Sequence, residues 1–195
     1  MWLVYKGRVR ITGGFWLLAL WFWYANGLQT LGAVLGAAAA HEAGHWAVLR
    51  LLGVRVTGLR ISAFGAEMYA PRGMLGYGGE LAAILAGPAV NLVFGLVLSR
   101  LGEQFWAAAG VHLALGAFNL LPIRPLDGGN AVVTLASWAA GPAAGERAAR
   151  VFGVLTALTT SAFLAAVMWY SGGSLWLLPP LVGTVFAGGK ELFEK

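Results

Sequence analysis

Apolar residues fall into long runs divided by short polar or Gly/Pro-containing breaks. The runs approach the roughly 20 residues that a helix needs to cross a bilayer. The pattern predicts a first, tryptophan-rich span over 11–26 (ITGGFWLLALWFWYAN) and a second over 28–49. In that second run Glu42 is the only acidic or basic residue apart from the histidines. A third span is predicted over 81–99, and a fourth over 104–121, ended by the prolines and glycines of LLPIRPLDGG. Between the second and third, VRVTGLRISAFGAEMYAPRG (54–73) is less hydrophobic, and its Val, Leu and Ile among glycines suggest short strands and turns. Residues 130–141 are too short to span and predict an interfacial or partly buried helix. From Val151 to Gly189 there is no Lys, Arg, Asp or Glu, and Gly172, Gly173, Pro179 and Pro180 divide the stretch into spans over 151–170 and 174–189. The predicted fold is therefore an all-α polytopic membrane protein. It has about six transmembrane helices, a small membrane-associated β segment and a C-terminal hairpin over 151–189, in a single membrane domain, 1–195.

Composition agrees: 59% of the 195 residues are hydrophobic and 11% charged, where a soluble domain carries roughly 25% charged residues. With no cysteine, disulfides and thiolate metal sites are excluded. The net charge of +5 does not mean nucleic acid, because the basic residues are scattered between apolar runs and form no patch. They report topology. With the N-terminus in the cytoplasm, threading six spans leaves Arg100 outside. Lys6, Arg8, Arg10, Arg50, Arg55, Arg60, Arg72, Arg124, Arg147, Arg150, Lys190 and Lys195 all fall inside. Both termini are then cytoplasmic in a multi-pass protein of the cell membrane. The basic residues ahead of the first run resemble a signal peptide, but without a small-residue cleavage site the run is read as a retained span.

Residues 36–50 read GAAAAHEAGHWAVLR. Burying His41, Glu42 and His45 among alanines is costly unless something binds them. Four residues apart on a helix, His41 and His45 share a face and can share one metal ion, with Glu42 beside its water as general base. Zinc lowers the pKa of such a water from 15.7 to about 7. The bland alternative is a polar seal between helices, or a proton or ion path. The motif lies nine residues before Arg50, about 14 Å of helix, so it sits within the membrane near the cytoplasmic side. Zinc catalysis needs a third protein ligand and an open fourth position. His112 and the acidic residues are the candidates. Asp127 is the acid in a helix-breaking sequence on the predicted cytoplasmic side, next to an apolar span. Alone it reads as an ordinary turn or N-cap aspartate; beside HEAGH it reads as a ligand.

HEAGH on an early span, AGPAVN at 86–91 and FNLLPIRPLDGG at 118–129 together resemble the site-2 protease family of intramembrane zinc metalloproteases. ISAFGAEM at 61–68 is similar to the loop after the motif helix in the sporulation branch, whose protease processes a pro-sigma factor. The resemblance covers about 36–130 and implies a three-helix catalytic core, here 28–130. It implies one zinc ion per chain on His41, His45 and Asp127, with Glu42 as the base. It associates Asn119 with the substrate backbone and the site, and Phe64 and Gly65 with substrate entry. Asn130 stands where a basic residue is common, and Ala63 and Ala66 replace a usual Pro and Gly. The chain ends soon after the sixth span, so the nucleotide-sensing domain of many sporulation-type relatives is expected to be missing.

Ala83, Gly87, Asn91 and Gly95 recur every fourth residue in span 3 and predict a small-residue face for close helix approach. Pro88 is expected to kink that span, and Gly87, Pro88 and Asn91 are read as supporting residues. His112 and Asn119 share a face of span 4. A hydrogen-bonded structural role is expected for His112, and for Asn119 contact with substrate backbone or a developing oxyanion. Segment 54–73 offers either a plain hairpin or a strand edge that would hold an unwound substrate. Trp16, Trp21, Trp23, Trp138, Trp169 and Trp176 are interface anchors or core.

The expected function is an intramembrane zinc endopeptidase that cuts a membrane segment of a client, such as an anti-sigma or pro-sigma factor. Its partners are then a membrane-associated or single-span protein substrate and the lipid bilayer, with room for an inhibitory membrane partner, and no nucleic acid. One alternative is a metal or proton transporter using the His/Asp cluster, which would call for an internal repeat that the sequence lacks. Another is an inactive client-binding protein, for which the complete ligand-and-base set would be superfluous.

Overall fold

Gly27 adopts φ 81° and ψ 166°, which glycine reaches without Cβ strain, and there the long helix α1 (Gly13–Leu51) is broken. The boundary predicted between the first two apolar runs falls at this residue. The structure, a computed structural model, describes residues 8–63, 65–71, 73–173 and 177–193. Phe64, Trp176 and the basic residues Lys6, Arg72 and Lys195 lie outside the described residues.

The chain forms two compact units, Met1–Leu113 and Ala114–Lys195. In the first, three strands make one sheet in the order β1 (Arg8–Ile11), β2 (Gly58–Ser62), β3 (Gly65–Tyr69). β1 runs parallel to β2, and β2 antiparallel to β3, which places Arg60 opposite Glu67. The strands expected in 54–73 are thus present. β1 was not foreseen: Arg-Val-Arg-Ile alternates with the two-residue period of a strand, but its arginines read as topology signals and Ile11 was assigned to the first span. The sheet is tied to the start of α1 by Thr12 N–H donating to Ile61 C=O at 2.9 Å.

α2 (Tyr77–Leu98) packs along α1. The predicted small-residue face is the buried one: Ala83, Gly87, Asn91 and Gly95 are all inside, with Ala86 and Pro88. On α1 the buried positions are Ala37, His41 and Gly44, one helical face. Removing side chains brings the backbones together, since a Cβ on Gly44 would lie 2.8 Å from Ala86 O. A 3₁₀ turn, Glu103–Phe105, leads into α3 (Trp106–Asn119).

In the second unit α5 (Pro142–Tyr170) packs against α4 (Asp127–Ala140) and α6 (Leu178–Phe193). α4 begins three residues before the predicted start at 130, so Asp127 opens the helix. α5 begins well before 151, because Glu146, Arg147 and Arg150 spoil a membrane-span pattern without spoiling the helix propensity of PAAGERAAR. Gly141, at φ 87°, makes the corner between α4 and α5. The core of this unit joins Ile123, Ala157 and Ala187, with Leu121 and Leu126 packed on it.

The architecture is mostly helical with a small three-stranded sheet. Among the described residues two helices, α2 and α5, are long and apolar enough to cross a membrane by length and composition, and α6 has a shorter apolar stretch, Leu178–Gly189. α3, at 14 residues, rises about 21 Å, short of a bilayer's roughly 30 Å hydrocarbon core.

Candidate metal centre

In the first unit α1 carries His41, Glu42 and His45 past the middle of α2. His41 is buried, and Glu42 and His45 are half-buried. The two imidazoles meet edge-on, with their Nε2 atoms 3.1 Å apart. Two nitrogens bound to one tetrahedral zinc at about 2.0–2.1 Å would stand roughly 3.3–3.4 Å apart, so the pair is close to ligand spacing. His45 Nδ1 lies 2.8 Å from Ala83 C=O. A carbonyl only accepts, so Nδ1 must carry the ring proton and donate it, leaving Nε2 with its lone pair. A backbone carbonyl on the far ring nitrogen is a usual outer support of a metal-bound histidine.

Gly87 makes the cradle. A Cβ there would lie 2.8 Å from His41 Nε2 and closer still to His45 Nε2, so glycine keeps open the space at the edge where both lone pairs would converge. Asn91, fully buried, bridges outward: Nδ2 is 3.2 Å from His41 Nδ1, and Oδ1 is 3.1 Å from His112 Nδ1. His112 is buried and stacks on Phe94 with ring centroids 5.5 Å apart. The hydrogen-bonded histidine expected on span 4 is thus found. The sequence did not reveal that its partner is Asn91, although both are polar residues in apolar runs.

In the second unit Asp127 is half-buried in the first turn of α4. Its position depends on the two glycines after it. A Cβ on Gly128 would run into Leu120 C=O, and one on Gly129 would come within 2.6 Å of Arg124 N. With both absent, α4 starts directly against the loop 120–126. Ile123, 1% exposed, anchors that loop in the core. Asn130 Nδ2 donates to Pro125 C=O at 3.3 Å, and Arg124 pairs with Glu146 at 2.9 Å. Asn119 is half-buried at the end of α3, where Nδ2 donates to Leu115 C=O at 3.0 Å. Gly65 opens β3 with φ +120°.

His41 and His45 each offer an imidazole nitrogen and Asp127 a carboxylate oxygen, donor types that zinc takes. Glu42 follows the first of them in the spacing of zinc-dependent peptide hydrolases.

A mostly helical protein with a His-Glu-Ala-Gly-His helix and a later Leu-Asp-Gly-Gly turn is the class that fold and site define. The family model of peptidase family M50 matches residues 99–162. A protein of Synechocystis named "Putative zinc metalloprotease" is 34% identical over 119 residues, covering 56% of this chain and 31% of its own length. A Mycobacterium tuberculosis protein of the same name is 33% identical over 140 residues, covering 62% of this chain and 33% of its own. A zinc metalloprotease of Methanocaldococcus jannaschii is 30% identical over 99 residues, covering 46% and 29%. The chain spans about a third of the length of these relatives. In fold it is similar to the site-2 protease structure from Methanocaldococcus jannaschii, with a TM-score of 0.68 at 20% identity over 94% of this chain and 89% of that one. The likeness is thus to peptidase family M50 over residues 99–162 and, in fold alone, to the site-2 protease structure.

Proposed function

We propose that the protein is an intramembrane zinc endopeptidase of the site-2 protease type, with zinc held by His41, His45 and Asp127 and with Glu42 as general base. The observation that carries the reading is the imidazole pair: Nε2 atoms at 3.1 Å, the His45 proton fixed on Nδ1 by Ala83, and Gly87 leaving room beside both.

When bound, the ion supplies Lewis-acid polarisation of the scissile carbonyl and makes water acidic enough to react near neutral pH. Glu42 takes the proton of the attacking water and returns it to the leaving amine. The Asn119 side chain, with one N–H spent on Leu115, offers its carbonyl and second N–H to substrate backbone. A helical substrate must first unwind. Among the described strands β3 is terminal in the sheet, and its outer edge, beginning at Gly65, can pair with the extended segment and replace the lost hydrogen bonds.

The client is a membrane-associated or single-span protein of the anti-sigma or pro-sigma kind. The site lies near the cytoplasmic side of the cell membrane, through which water reaches it, and both termini are cytoplasmic. The distribution of Lys and Arg supports that orientation.

The test is co-expression with candidate clients. Glu42→Gln should lower cleavage by about 10²–10⁴-fold, the usual worth of a positioned proton-transfer group, while zinc stays bound. Undiminished cleavage by this variant would refute the assignment of the base.

A further inference from the structure

Neutral His41 has two tautomers, and the polar chain behind it selects between them. When Asn91 Nδ2 faces His41 Nδ1, the amide N–H donates to that nitrogen, and the ring proton of His41 sits on Nε2. There it donates to His45 Nε2 across 3.1 Å, and the imidazole pair satisfies itself with no ion. Asn91 Oδ1 meanwhile accepts from His112 Nδ1–H at 3.1 Å. A half-turn of the amide exchanges its two ends and reverses every donor. Oδ1 then accepts His41 Nδ1–H, Nδ2 donates to His112 Nδ1, and His112 carries its proton on Nε2. Only this second arrangement leaves lone pairs on both Nε2 atoms, and two lone pairs 3.1 Å apart repel unless a cation lies against them.

We propose that Asn91 and His112 are positioning residues for the metal: a divalent cation at His41 and His45 is bound with the Asn91 amide turned so that Oδ1 holds His41 Nδ1–H and His112 Nδ1 accepts from Nδ2. This rests on the zinc-site reading above and adds a proton-ordered support to it. Asn91 is fully buried and His112 is 7% exposed, so water is a poor substitute for either partner. The His112 ring is itself held by its stack on Phe94.

The experiment measures zinc affinity of the purified full chain by chelator competition, with metal-free melting temperature as the folding control. Asn91→Leu keeps the volume and removes the acceptor, and should weaken zinc binding about 10–100-fold, as losses of outer ligand supports do. Asn91→Asp offers only acceptors, so His41 is held as an Nε2 ligand without any choice of amide orientation, and affinity should stay near wild type. His112→Phe should weaken binding by about tenfold or more in the Asn91 protein and cause no further loss in the N91D background. A purely structural histidine would cost the same in both. Equal losses in the two backgrounds, or unchanged affinity in Asn91→Leu, would overturn the proposal while leaving the zinc site standing. A wild type that takes up no zinc would overturn the site itself and this inference with it.

Discussion

One missing carbon atom at Gly87 separates an open ligand edge from a blocked one. A Cβ would stand 2.8 Å from His41 Nε2, inside van der Waals contact, and closer still to His45 Nε2. The clash is with rings wedged between two helices, which cannot swing away like a surface side chain. Gly87→Ala should therefore lower zinc affinity by at least about tenfold, comparable to loss of a ligand support, and the same overpacking should lower the metal-free melting temperature. Affinity like that of wild type would mean that the ion binds elsewhere. The residues with fixed local spacing were legible in the sequence, since i, i+4 on a helix dictates that His41 and His45 share a face. Asn91 and His112 are 50 and 21 residues from their partners. No periodicity encodes such a distance, so the bridge appears only in the folded chain.

The α1–α2 contact is built from small residues, and the four-residue stripe on α2 announced it. Its complement on α1, where Gly44 lies against Ala86, was hidden in a run of alanines in which every face looks alike. Gly44→Ala would press a methyl group onto backbone, 2.8 Å from Ala86 O, and force the helices apart. A destabilisation of about 1–3 kcal/mol, the usual cost of overpacking, should appear in thermal or denaturant unfolding. A neutral or stabilising effect would show that the helices yield there. Elements with one dominant pattern were foreseen well, including the strands of 54–73 and the helix at 77–98. Elements that mix signals were misplaced: β1 carries arginines in a strand alternation, and the first turns of α5 carry charges in a helical stretch. In both, residues that a membrane span rejects are tolerated by the structure that forms.

Two compact units organise the chain, and the proposed ligand set draws on both sequence halves: His41 and His45 come early, Asp127 late. Among the described residues apolar length alone gives two helices fit to cross a membrane, so the proposed multi-pass topology rests on charge placement. The chain has no cysteine, so single cysteines can report it without background. Ser99→Cys and Ser171→Cys should react with an impermeant maleimide from outside the cell, and Thr57→Cys only after lysis. Labelling of Thr57→Cys in intact cells would contradict the orientation.

The central claim is that His41, His45 and Asp127 bind one zinc ion. Elemental analysis of purified wild type, Glu42→Gln and Asp127→Ala tests it most directly. The account predicts one zinc per chain in the first two and a clear loss in Asp127→Ala. Active wild type without zinc, or Asp127→Ala with its full complement, would contradict it.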